Sequence, residues 1–123
     1  MVSDKRFPRS VYGVGEDPDP RFSLANERTF LAWIRTSLAF VAGGVALEAI
    51  ALPVHPTARI IATSMFLLLA ILVPLYAWFQ WLRNERALRQ EAPLHAPHMG
   101  LVLSIVLFVA VGAIAVGLIV GVD

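Results

Sequence analysis

The sequence predicts an all-α integral membrane protein, a bundle of three transmembrane helices behind a polar N-terminal arm. Three observations predict it. Apolar residues make up 58% of the 123 residues and charged ones 15%, against roughly 25% charged in an average soluble chain. The mean hydropathy of +0.71 is more than one soluble core of this length accommodates. The apolar residues are also gathered into three blocks, each close to the about 20 residues that a helix needs to cross hydrocarbon.

The arm, residues 1–20, is polar and rich in Pro and Asp. It lacks the apolar run of a signal peptide, so it reads as flexible, and targeting falls to the helices. The first block, 30–52, is interrupted by Arg35 and Glu48, and its cleanest stretch, 36–47, is too short to span alone. It still reads as a span, rather than a re-entrant or surface-lying helix. Arg35 lies near one end and can snorkel to the interface, and Glu48 lies near the other, one turn before Pro53. The blocks 60–82 and 99–122 carry no charge. Helices are expected over about 22–52, 58–90 and 98–122, so that 21–123 is the membrane domain. The proline-bounded turn Pro53-Val54-His55-Pro56-Thr57 makes the first two helices an antiparallel hairpin. Pro74 frees the carbonyl of Ala70 and predicts a kink.

Basic residues set the orientation. Lys5, Arg6, Arg9, Arg21, Arg28 and Arg35 precede or open the first span, and Arg83, Arg86 and Arg89 follow the second. Arg59 alone is near the first turn. The N-terminus and second loop are therefore expected in the cytoplasm, with the first turn and Asp123 on the other side. Tyr76, Trp78 and Trp81 stand where an interfacial aromatic belt belongs.

Several functions are excluded by what the sequence lacks. Without cysteine there is no disulfide or thiol chemistry. A Gly-rich phosphate loop and a carboxylate cluster for Mg²⁺ are both missing, so no nucleotide site is expected. The pair His95-x-x-His98 has no third ligand, and no metal site is expected. Glu48, Ser37, Ser64 and Ser104 are too scattered for an enzyme, so no catalytic residue, cofactor or nucleic-acid partner is expected.

The most informative segment is 21–36. It reads as helix, capped near Asp19-Pro20 or Ser23. Arg28 and Arg35, seven residues apart, share one helix face with the small residues Ala32 and Ala39. That face has three readings. In one, both arginines anchor to lipid phosphates; in another, Glu27 and Asn26 pair with Arg28 or with Arg86 of a neighbour. In the third reading, rings of Arg from several subunits line an anion path. Glu48 is expected to pair with Arg59 across the turn as a structural bridge. Ala113, Gly117 and Gly121 form a small-residue stripe in the last span, and Ala39, Gly43 and Ala46 form one in the first. Such stripes let backbones approach, and here they predict a homo-oligomer in the bilayer that Gly117→Leu weakens.

The run Leu24-Ala25-Asn26-Glu27-Arg28-Thr29-Phe30-Leu31-Ala32-Trp33-Ile34-Arg35-Thr36 resembles the signature of the YidH-type small inner-membrane proteins, a domain family of unknown function. The same domain forms the membrane part of the eukaryotic vacuolar transporter chaperone complex, which makes polyphosphate and moves it across a membrane. The resemblance covers the chain from about Arg21 onward. It implies subunits around a pore lined by basic residues at the start of the first helix, matched here by Arg21 and Arg28. Arg83 or Arg86 matches those after the second helix, and Asn26 and Glu27 match the acidic-polar part of the motif. Arg35 lies outside the transferable part. No counterpart of that complex's polymerase or polyphosphate-sensing domain is expected from these residues. The leading expectation is a non-enzymatic, oligomeric protein with an anion path for a polyanion or phosphate cargo. The alternative is a structural or accessory subunit that scaffolds a partner protein.

Overall fold

The computed structural model describes residues 5–96 and 98–121. The expected helical end at Val122 and the expected position of Asp123 lie outside the described residues, as do residues 1–4 of the arm. The elements are α1 (Arg9–Tyr12), α2 (Pro20–Ala49), α3 (Pro56–Arg89) and α4 (Met99–Val120). Among the described residues all regular structure is helical, and α2, α3 and α4 are each long and apolar enough to cross a membrane.

Local chemistry explains where each helix starts and stops. Asp19 caps α2: its Oδ1 accepts from the Arg21 backbone N–H at 2.9 Å, and Pro20 occupies the first helical position. α2 ends at Ala49 rather than at Leu52. The Leu52 and Val54 amides bond two residues back, to Ile50 and Leu52, and Pro53 has no N–H to extend the ladder. α3 opens on Pro56, with His55 Nδ1 accepting from the Thr57 amide at 3.2 Å. It closes in a Schellman arrangement, with Ala92 N–H bonded to Ala87 O at 2.9 Å and Glu91 N–H to Leu88 O at 3.4 Å. Glu91 takes the left-handed position at φ 53°, where glycine is usual. α3 runs unbroken through Pro74. The carbonyl that Pro74 cannot satisfy, that of Ala70, accepts instead from the buried Ser37 hydroxyl at 2.7 Å.

The described residues form two compact units. The first holds the arm, α2 as far as Ile34, and the chain from Pro74 to Ala96. Its packing is aromatic: Trp33 meets Tyr76 edge-on at 5.6 Å, Phe30 meets Trp78 at 6.4 Å, and Trp78 stacks on Trp81 at 5.4 Å. The arm contributes α1, an element with no counterpart in the sequence expectation, and its Val11 is 1% exposed.

The second unit holds α2 from Arg35, α3 as far as Val73, and α4. Small residues make its contacts close. A Cβ on Gly44 would lie 2.9 Å from Leu67, and one on Gly117 would lie 2.6 Å from Ala58 and 2.8 Å from Val54. Gly117 O also accepts from the His55 amide at 3.0 Å. Gly117 is therefore consumed inside the chain. The expectation that Gly117→Leu acts on an oligomer is corrected: the substitution strikes this fold first. Large apolar side chains of α4 point outward, Phe108 at 81% and Ile119 at 85% exposed, as lipid-facing residues do.

Candidate functional site

The first unit gathers its polar chemistry at two linked places. One is a buried cluster between α2 and α3. Glu85 is 3% exposed, yet no ion pair reaches it among the described residues. Its oxygens instead accept from Ser23 Oγ at 3.1 Å and Asn26 Nδ2 at 3.3 Å. Asn26 Nδ2 also donates to Trp81 O at 3.2 Å, and its Oδ1 accepts from Asn84 Nδ2 at 3.2 Å. A buried carboxylate without such donors would be costly, which explains why amide and hydroxyl groups are placed here.

The other place is the junction of the arm with the end of α3. Arg89 is buried and donates to Val14 O at 2.9 Å, to Tyr12 O at 3.4 Å and to Asp17 Oδ1 at 2.6 Å. Arg6 reaches the same Asp17 oxygen at 2.8 Å. Both guanidinium groups lie against the Tyr12 ring, at 4.3 Å for Arg6 and 5.3 Å for Arg89. The Arg6 hydrogen bond, followed by that of Arg89, holds the Asp17 carboxyl below the usual carboxylate range. Arg21 does the same for Asp19. Gly15, at φ 60°, lies so close to the Arg89 carbonyl that no side chain would fit, and the next amide, Glu16, bonds that carbonyl at 3.0 Å. A cavity of about 260 Å³ remains, lined by Arg6, Tyr12, Asp17, Ser23, Glu85 and Arg89 together with Pro18 and Pro20.

The residues singled out in the sequence separate into three groups. Arg28, Arg83 and Glu27 are exposed, and their side chains make no hydrogen bond or ion pair among the described residues; Arg35 in the second unit is the same. Arg21 is exposed but pairs with Asp19 at 2.8 Å, and Arg86 donates to Ser10 O at 3.0 Å. Asn26 is buried and structural, which removes it from any outward path and from a pairing with Arg28 or Arg86.

The expected Glu48–Arg59 bridge is also corrected. Arg59 Nη2 donates to Leu52 O at 2.6 Å, a carbonyl beyond the end of α2 that also accepts from the Val54 amide at 2.8 Å. Glu48 accepts instead from Thr63 Oγ1 at 3.0 Å, one turn further along α3. Among the described residues no group of three or more His, Cys, Asp or Glu is placed to hold a metal.

Sequence reasoning passed over Glu85, Arg89, Asp17 and Tyr12. Glu85 and Arg89, four residues apart, look like an ordinary surface pair on a helix. Their true partners come from positions 59 to 77 residues away in sequence, and only the fold brings them in.

The family model described as "Domain of unknown function (DUF202)" matches residues 21–87. "Inner membrane protein YidH" of Escherichia coli (strain K12) is 44% identical over 107 residues, 86% of this chain and 92% of that protein. The protein of the same name from Shigella flexneri is similar to the same extent. "Uncharacterized protein Rv2272" of Mycobacterium tuberculosis is 43% identical over 79 residues, 63% of this chain and 65% of that protein. No solved structure matches. The matched residues include the Asn26 cluster and the exposed Arg28, and on this match and the 44% identity the chain belongs to the YidH-type family that carries the DUF202 domain.

Proposed function

We propose that this chain is a non-enzymatic multi-pass protein of the inner membrane that assembles as a homo-oligomer and lines an anion path with basic residues. One observation carries the reading. In the first unit Glu85, Asp17 and Asp19 are occupied by donors of the same unit, while Arg28 and Arg83 stay exposed without a partner. An outward set of guanidinium groups attracts anions, and planar donor forks favour phosphate oxygens. The inner-membrane location is supported by the three apolar helices and by the name of the Escherichia coli relative. The resemblance of 24–36 to the membrane part of the vacuolar transporter chaperone complex favours a polyanion or phosphate as cargo.

The proposed orientation has the N-terminus in the cytoplasm and the C-terminus outside, because nearly all basic residues flank one end of the first two spans. Reporter fusions after Pro8, Ala92 and Asp123 test it. An active cytoplasm-only reporter at Asp123 overturns it.

The path itself is tested by polyphosphate and small-anion flux in proteoliposomes. Arg28→Ala lowers flux with the oligomer intact, Arg28→Glu abolishes it, and Arg28→Lys restores it only partly. A merely lipid-anchoring Arg28 accepts lysine fully. No flux in the parent at any membrane potential removes the path. The second reading, an accessory subunit that scaffolds a partner, is then the one left.

A further inference from the structure

We infer that Arg6 and Arg89 form a binding site for a phosphate-type anion, a site that the chain fills with its own Asp17 carboxylate. The Arg89 side chain is 5% exposed, and a buried guanidinium requires a counter-ion. Glu85, one turn earlier on α3, does not serve, because its oxygens are taken by Ser23 and Asn26. Asp17 is the counter-ion that the described residues supply, and its side chain is 69% exposed on the loop between α1 and α2. An occupant so placed can leave without unpacking anything.

What remains after it leaves is a formed site. Arg89 stays pinned by the Val14 and Tyr12 carbonyls, and the arm stays docked through Glu16 on the Arg89 carbonyl, Arg86 on Ser10 O and the buried Val11. Arg6 Nη2 and Arg89 Nη1 already converge on a single oxygen, at 2.8 and 2.6 Å. A tetrahedral anion offers each guanidinium an oxygen of its own, and the adjoining cavity of about 260 Å³ has room for it. Asp17 thus acts as a built-in competitor that lowers apparent affinity by the fraction of time the site is open.

The same chemistry is carried by inorganic phosphate and by an anionic lipid headgroup. This site does not depend on the proposed path, because phosphate binding without flux and flux without phosphate binding are separate results.

The test uses the full chain in phosphatidylcholine nanodiscs, titrated with inorganic phosphate by calorimetry. Asp17→Asn should bind at least about tenfold more tightly than the parent, because the internal competitor has lost its charge. Adding Arg89→Gln to that variant should abolish binding. Adding Arg6→Gln, on the more exposed side, should weaken binding several-fold with less risk to folding. Amide-exchange protection at Glu16 reports whether the arm remains docked. Nanodiscs containing phosphatidylglycerol identify the source: if the headgroup is the occupant they suppress the phosphate titration of Asp17→Asn, and if free phosphate is, they leave it unchanged. Equal affinity in the parent and Asp17→Asn, no binding by Asp17→Asn in nanodiscs of either lipid, or binding indifferent to both arginines would each overturn the inference.

Discussion

Gly112 and Gly117 sit on the same helix, five residues apart, and the structure assigns them opposite sensitivities. A Cβ at Gly117 would stand 2.6 Å from the Ala58 Cβ and 2.8 Å from Val54 Cγ1, whereas a Cβ at Gly112 meets nothing within 4 Å. Ordinary carbon–carbon contact begins near 3.5 Å, so Gly117→Ala forces α4 away from the start of α3 by close to an ångström. Overpacking of this kind costs about 1–3 kcal/mol. The same movement stretches the 3.0 Å bond from the His55 amide to the Gly117 carbonyl, worth about 0.5–1.5 kcal/mol more. Gly117→Ala should therefore destabilise by about 2–4 kcal/mol, and Gly112→Ala by no more than about 0.5 kcal/mol. Reversible unfolding in mixed micelles, followed by tryptophan fluorescence, measures both. If the two variants unfold together, or if Gly117→Ala loses subunit association while monomer stability is unchanged, the intramolecular assignment of Gly117 is wrong.

Other residues offer independent checks by the same unfolding assay. Ser37→Ala leaves the buried Ala70 carbonyl unpaired and should cost about 1–3 kcal/mol; in a Pro74→Ala background, where residue 74 regains an N–H, the cost should fall below about 1 kcal/mol. Asn26→Leu removes donors from Glu85 and the Trp81 carbonyl and should cost about 1–3 kcal/mol, more than Glu27→Leu at the exposed neighbouring position. Glu91→Gly should stabilise by about 1 kcal/mol, since a non-glycine residue now occupies a left-handed cap. The Asp17 carboxyl is depressed first by Arg6 and then by Arg89, so its support for the docked arm is present above the ordinary carboxylate pKa and is lost as pH falls through the lowered value. Exchange protection at the Glu16 amide should accordingly stay constant from pH 8 to about pH 5; a loss within that window would contradict the assignment.

The sequence by itself determined the three spans, the turn at Pro53–Pro56 and the open Ala70 carbonyl before Pro74. Each follows from a property that needs no partner: apolar length, a fixed proline φ, a missing N–H. It also determined that Arg28 and Arg35 occur seven residues apart on one helix. Only the tertiary structure decided which polar groups turn inward. Asn26 and Glu27 are adjacent in the same motif, yet Asn26 is buried on Glu85 while Glu27 is exposed. Glu48 and Arg59 are complementary in charge, yet Arg59 donates to the Leu52 carbonyl and Glu48 accepts from the Thr63 hydroxyl. The arm carries no hydropathy signal, because what holds it is backbone geometry at Gly15 and an arginine more than 70 residues away. Periodicity reports which face a residue occupies, but the partner waiting on that face is supplied by another part of the chain, and its position depends on how the chain folds.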